Sequence, residues 1–203
     1  MVAGDDGRRR CWWCGDDPAY VDYHDREWGR PVHDDTRLFE KLVLEGFQSG
    51  LAWITILRKR EAFRSAFAGF DIATVARFTE ADVARLLGDA GIVRHRGKIE
   101  AAVANARAAE TLIAEEGSLD AFVWRYVPDP AERPRRLTRD VFSELALTPS
   151  STALAKDLKR RGFRFVGPTT AYAFMQSMGV VNDHVEGCHA RGWSGPDGAP
   201  PAA

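Results

Sequence analysis

Residues Cys11 to Gly29, CWWCGDDPAYVDYHDREWG, gather two cysteines, three tryptophans, two tyrosines and a histidine into nineteen positions. Cys11, Cys14 and His24 offer the thiolate and imidazole donors that four-coordinate zinc favours, but they are one ligand short of a closed site. The missing donors stand at the other end of the chain, in Asn182-Asp183-His184-Val185-Glu186-Gly187-Cys188. There His184 and Cys188 are four apart and share one face if the segment is helical. Cys11, His24, His184 and Cys188 form a Cys2His2 set with no open position, and Cys14 is an alternative to Cys11. One ion so held ties together residues about 170 positions apart, closing a long loop and coupling metal affinity to folding. The competing reading is a redox Cys-x-x-Cys pair beside a buried cysteine and two unrelated histidines.

Working outward, a chain of 203 residues with 45% hydrophobic content can build one domain with a real core. Lys plus Arg total 28 against 29 for Asp plus Glu, so any polyanion has to be held by local basic patches. Three cysteines are too few for a disulfide scaffold. No apolar run is long enough for a membrane span, and a soluble, cytoplasmic monomer is expected. Residues 1–10 and 195–203 read as flexible tails around a single helical domain at 11–194.

The pattern inside that domain is helical throughout. Asp35 or Thr36 caps a helix carrying Leu38, Phe39, Leu42 and Val43, and Glu45 falls near Leu38 at the edge of its apolar face. A carboxylate there is either half-solvated or lines a pocket. An apolar run follows at Leu51 to Leu57, then a helix with Ala62, Phe63, Ala66, Phe67 and Phe70. Asp71 caps a short helix, and Thr79-Glu80-Ala81-Asp82 reads as a capping box. A basic turn at Arg94 to Lys98 leads into an alanine-rich helix from about Ile99 to Glu116, and Leu119 to Tyr126 mark the next. Prolines 128, 130 and 134 make an irregular connection. A helix-hairpin-helix unit is expected at about 151–178: Ser150 or Ser151 caps the first helix, Gly162 to Gly167 make the hairpin, and Pro168 opens the second helix.

Two further constellations carry chemistry. Trp12, Trp13, Tyr20, Tyr23, Trp28 and Trp53 are either core or a rigid wall for a planar ligand such as a nucleobase. At the hairpin, the N–H groups of Val166, Gly167 and the following helix start can hold a phosphate. Lys159, Arg160, Arg161 and Arg164 cluster there, with a second basic patch at Arg94, Arg96 and Lys98.

Taken together, Cys11 to Gly29, the run LEGFQSGLAW at 44–53, DAGIVRHRGKI at 89–99 and the segment from Gly162 to Cys188 resemble the 3-methyladenine DNA glycosylase I family. The resemblance implies an all-α fold of the helix-hairpin-helix DNA glycosylase superfamily with one structural zinc. It places the zinc on Cys11, His24, His184 and Cys188, leaving Cys14 outside. The base pocket falls on Glu45, Tyr23, Trp53, Trp13 and Trp28, with Glu45 as the catalytic carboxylate. The hairpin residues Gly162, Arg164, Val166 and Gly167, with Arg96 and Lys98, are the expected contacts to double-stranded DNA containing 3-methyladenine.

In this reading a flipped base stacks between Trp53 and Tyr23, where its positive charge adds a cation–π component and Glu45 accepts from its exocyclic amine. Superfamily relatives that use an Asp after the second hairpin helix correspond to Asn182 here, and those with a Schiff-base lysine at the hairpin correspond to Thr169. Simple hydrolysis to an abasic site is therefore expected, with Glu45 or Asp183 orienting the water. A non-catalytic, zinc-stapled sensor of alkylated bases and a thiol oxidoreductase built on Cys11 and Cys14 are the rivals.

Overall fold

The computed structural model describes residues 1–193; the expected tail at 195–203 lies outside the described residues. In chain order the helices are α1 (Pro18–Arg26), α2 (Asp35–Gln48), α3 (Trp53–Ala66), α4 (Ile72–Ala76) and α5 (Glu80–Gly88), then α6 (Arg96–Glu116), α7 (Leu119–Val123), α8 (Arg139–Glu144), α9 (Pro149–Arg160) and α10 (Pro168–Ser177). No described helix is long and apolar enough to cross a membrane.

The axis of the molecule is α2, in which every residue from Leu38 to Phe47 is buried. A helix buried on all sides is a core helix rather than a surface one. Glu45, only 5% exposed, is therefore not half-solvated. Beside it, α6 presents Ala101, Ala102, Ala106 and Ala109, whose small side chains let neighbouring helices approach closely. Phe67 stacks against Phe63, Phe70 and Phe78 at centroid distances of 6.2, 5.6 and 6.2 Å. Each such ring contributes about 1.5–3 kcal/mol on burial.

Several helix ends differ from the sequence reading. Asp34 caps α2 by accepting from Arg37 N, which frees the Asp35 carboxylate to accept from the backbone of Leu119 and Asp120 at 3.1 and 2.8 Å. Asp35 thus docks the start of α7 onto the start of α2, a tertiary use that no local pattern marks. Thr148 caps α9, and Ser151 is its reciprocal partner in a capping box. The apolar run from Trp53 and the segment up to Ala66 are one helix, α3, with Phe67 as its C-cap and Phe70 in a separate short turn. The basic turn is shorter than expected, because His95 caps α6 by accepting from Lys98 N and so draws Arg96 to Lys98 into its first turn.

Two larger differences concern the ends of the chain. Residues 1–10 are not a loose tail: Val2–Ala3 (β1) pairs antiparallel with Arg9–Arg10 (β2). The buried Arg10 guanidinium donates to both Asp25 oxygens and to Asp6, a long-range anchor hidden in a polar stretch. Asn182 to Cys188 is not helical. The chain turns at Gly187, whose φ of 80° suits glycine, and Cys188 N donates to Val185 O at 3.0 Å. His184 and Cys188 come together through that turn and not along a helix face.

Candidate functional site

Cys11, His24, His184 and Cys188 are all buried, and their donor atoms lie within 4.8 Å of one another. Cys188 Sγ is 3.4 Å from His24 Nε2 and 3.6 Å from His184 Nδ1, and Cys11 Sγ is 3.8 Å from His184 Nδ1. Tetrahedral zinc with its usual bond lengths spaces sulfur and nitrogen about 3.6 Å apart, so the donor set fits such an ion. The other ring nitrogens are occupied: His24 Nδ1 meets Asp25 Oδ1 at 2.8 Å and His184 Nε2 meets Trp28 O at 2.9 Å. That fixes the tautomers which turn a lone pair inward. The neighbouring Cys188 and burial raise the Cys11 thiol, while Cys11 and the two imidazoles lower Cys188.

Cys14 is outside this group. Its Sγ donates to Cys11 O at 3.1 Å, and burial pushes its thiol up to about 11, the wrong direction for a redox nucleophile. His189 bonds Asp25 Oδ1 at 2.9 Å and so supports the carboxylate that orients His24.

Next to the tetrad is a cavity of about 130 Å³. Trp13, Tyr23, Trp28, Trp53 and Glu45 all line it, so the structure brings together the five residues expected to form the base pocket. Helix α1 supplies Tyr23, α2 supplies Glu45 and α3 opens with Trp53. Trp28 packs edge-on against both Trp13 and His184, at 4.9 and 4.8 Å, which joins the cavity wall to the tetrad. Trp13 Nε1 and Trp53 Nε1 are buried without a partner among the described residues.

Tyr23 and Trp53 do not stand as two jaws. Their centroids are 5.6 Å apart at 41°, so the rings touch each other and form one wall. A flat ligand stacks against that wall rather than between its members.

Several lining residues have no counterpart in the sequence reading of the pocket: Gln48, Phe142, Ala173 and Gln176, with Tyr20 named there only as an aromatic. Phe142 belongs to α8, in the stretch between the proline-rich connection and α9, where nothing local marks a pocket residue. Gln176 donates to Asp183 Oδ2 at 2.8 Å, and Asp183 also accepts from Tyr172 and Arg133. Asp183 is fully buried and surrounded by donors, so both its oxygens are engaged. Lys41 was also missed, although its position one turn before Glu45 is a readable i,i+4 signal; its Nζ lies 3.0 Å from Glu45 Oε1.

Between α9 and α10 the chain makes a tight turn. Phe163 N donates to Leu158 O and Gly162 N to Lys159 O, a Schellman ending with Gly162 at φ 95°. Asn105 of α6 clamps the turn by donating to Arg164 O and accepting from Arg164 N. Val166 is buried, while the Arg164 side chain is exposed. Gly167 is the N-cap of α10, whose first-turn amides are available to an anion. The second basic patch divides. Arg96 is exposed and paired with Glu80 and Glu100, whereas Lys98 turns inward and donates to Phe47 O and Ser49 O at 2.9 and 2.6 Å. Lys98 thereby satisfies the carbonyl end of α2, which withdraws it from the surface where a phosphate could be met.

The family described as methyladenine glycosylase matches residues 13–191. The chain belongs to that family. DNA-3-methyladenine glycosylase 1 of Escherichia coli (strain K12) is 49% identical over 180 residues, covering 88% of this chain and 95% of that protein. DNA-3-methyladenine glycosylase of Haemophilus influenzae is 45% identical over 183 residues, covering 88% and 96%. A crystal structure of 3-methyladenine DNA glycosylase I in complex with 3-methyladenine aligns with TM-score 0.83 at 35% identity, over 90% of this chain and 97% of that one. The span matched to the methyladenine glycosylase family includes every residue lining the aromatic cavity and three of the four tetrad residues, starting just after Cys11.

Proposed function

We propose that the protein is a monofunctional DNA glycosylase that hydrolyses the N-glycosidic bond of 3-methyladenine in alkylated DNA, releasing the free base and leaving an abasic site for base-excision repair. The observation that carries this reading is the small cavity that a buried carboxylate, Glu45, lines together with the rings of Trp13, Tyr23, Trp28 and Trp53. A base inside a duplex cannot reach such a cavity, so the nucleotide has to be extruded. The α9–turn–α10 unit, assigned here as a helix-hairpin-helix, holds the backbone during extrusion through the amides at Gly167 and the start of α10, with Arg164 supplying charge. Gly162 and Val166 shape that turn, Arg96 adds a peripheral contact, and Lys98 serves α2 instead.

The extruded base stacks on the Tyr23–Trp53 wall, with Trp13 and Trp28 closing the cavity. N3-methylation makes the adenine cationic, so the ring faces and the Glu45 carboxylate favour it over neutral adenine. The same charge makes the base a good leaving group, which reduces the need for acid assistance. Glu45 accepts from the exocyclic amine, and Asp183 has both oxygens engaged by Arg133, Tyr172 and Gln176. Lys41 stands behind the wall, so the chemistry is hydrolysis without a Schiff base. Zinc on Cys11, His24, His184 and Cys188 supplies structure alone, since a complete Cys2His2 set has no position for substrate.

The test is chromatography of bases released from methylated duplex DNA. Free 3-methyladenine with 7-methylguanine retained is the expected result. Binding of the DNA by folded, zinc-loaded protein without release of base would transfer the chain to the sensor class, and a borohydride-trapped adduct would overturn simple hydrolysis.

A further inference from the structure

Lys41 is buried, and the mechanism above gives it no task. Its Nζ donates to Tyr23 Oη at 2.8 Å, lies 3.0 Å from Glu45 Oε1 and stands 3.3 Å from the centroid of the Trp53 ring. One ammonium group therefore touches the three side chains that read the base. Tyr23 and Trp53 line two cavities, the aromatic one with Glu45 and a charged one with Lys41, and Lys41 lines only the second. The two rings are the partition, and Lys41 is behind it.

The charges around Lys41 are largely matched among themselves. From α1 come Tyr23 and, just after its end, Glu27; from α3 come Arg60 and Arg64; from α2 itself come Arg37, Glu40 and Glu45. Arg60 pairs with Glu27 at 2.5 Å and Arg64 with Glu40 at 2.9 Å. Met178, after α10, brings no charge. Lys41 is the cation in contact with Glu45. On a surface such an i,i+4 pair is worth little, but here both side chains are about 5% exposed, and removing one partner strands the other's charge. Glu45 Oε1 is taken by Lys41, which leaves Oε2 for a ligand.

We propose that Lys41 is a positioning residue of the base pocket, holding Glu45 Oε1 and Tyr23 Oη from behind the aromatic wall so that Glu45 presents an ionised, correctly turned carboxylate to the base. The proposal rests on reading the cavity as the base site. Burial lowers Lys41 to about 8, opposed by the neighbouring Glu45, so the ammonium form is still the main one at neutral pH.

The test compares Lys41→Met and Lys41→Arg with wild type, alone and with Glu45→Gln, in single-turnover excision and in tryptophan-fluorescence titration with free 3-methyladenine across about pH 5.5–9. Lys41→Met is expected to lose about tenfold in rate at neutral pH and to shift the acid limb of the profile upward by about one pH unit, with Lys41→Arg restoring both. In the Glu45→Gln background the same change should cost less than about twofold. A loss equal at every pH, or the full loss repeated without the carboxylate, would show that Lys41 only fills space and would overturn the proposal. Should Lys41→Met not fold, Lys41→Gln carries the comparison. If wild type binds the base but releases none, the functional reading falls, and the binding profiles of the same variants still decide the role of Lys41.

Discussion

The Cys2His2 tetrad and the aromatic cavity both draw on residues 11–29, yet they treat buried polar atoms in opposite ways. In the tetrad each histidine's outer nitrogen has a partner at 2.8 or 2.9 Å, and the four donor atoms lie within 4.8 Å of one another. Among the residues that line the cavity, Trp13 and Trp53 have buried indole N–H groups without a partner among the described residues, and Glu45 has one oxygen engaged by Lys41. A closed polar set stabilises one conformation, whereas a carboxylate with a free oxygen on a cavity wall keeps affinity for a ligand that completes it. The shared segment lets one rigidify the other: Trp28 packs on His184 and also lines the cavity.

That contrast can be broken at either end. The largest effect is expected for His184→Ala, which should lose the metal and on the order of 3–5 kcal/mol of stability. Thermal melting with metal analysis checks this, and a variant that melts like wild type would remove the closed-site argument. Glu45→Gln should do the reverse, lowering excision about 100-fold while bound metal is unchanged. Unaltered turnover would take Glu45 out of the mechanism.

Two smaller effects sharpen the comparison. Free 3-methyladenine at about 100 times its dissociation constant should stabilise the wild type by about 2.7 kcal/mol, because the cavity is open to a ligand. Trp53→Ala should reduce that thermal shift, while the same base should leave metal content unaffected. The smallest effect is a pH dependence. Burial brings folded Lys41 to about 8, below the value of an unfolded lysine near 10.4, so between these the unfolded chain holds a proton the folded one has released. Stability of wild type relative to Lys41→Met should therefore rise with pH from about 8 to 9.5, by at most about 1.4 kcal/mol per unit. Melting curves of the two proteins at either end of that window measure it.

Much of this was legible locally. Thr79 with Asp82 and Asp71 cap the helices their sequence context predicts, and Pro168 opens α10. These signals act within one helical turn, so a short window contains them. The four tetrad residues and five pocket residues were also named in advance, with the family resemblance deciding among the alternatives that spacing left open. Legibility failed where the partner was distant. Arg10 looked like part of a polar tail because Asp25, its counter-ion, is fifteen residues away and on another element. Lys98 looked like a phosphate contact, but the open carbonyls at the end of α2 claim it.

The sequence by itself determined most of the helical elements, some of their caps, and which side chains carry metal-binding and ring chemistry, because periodicity and residue type act over a few bonds. The tertiary structure alone decided that α2 is buried on every side, that Tyr23 and Trp53 form one wall, that Asp183 is saturated, and that Lys41 stands behind Glu45. Those outcomes depend on which surfaces are packed face to face, and on the angle and distance between helices. Such quantities are set by close packing of the whole core and have no local signature in the chain.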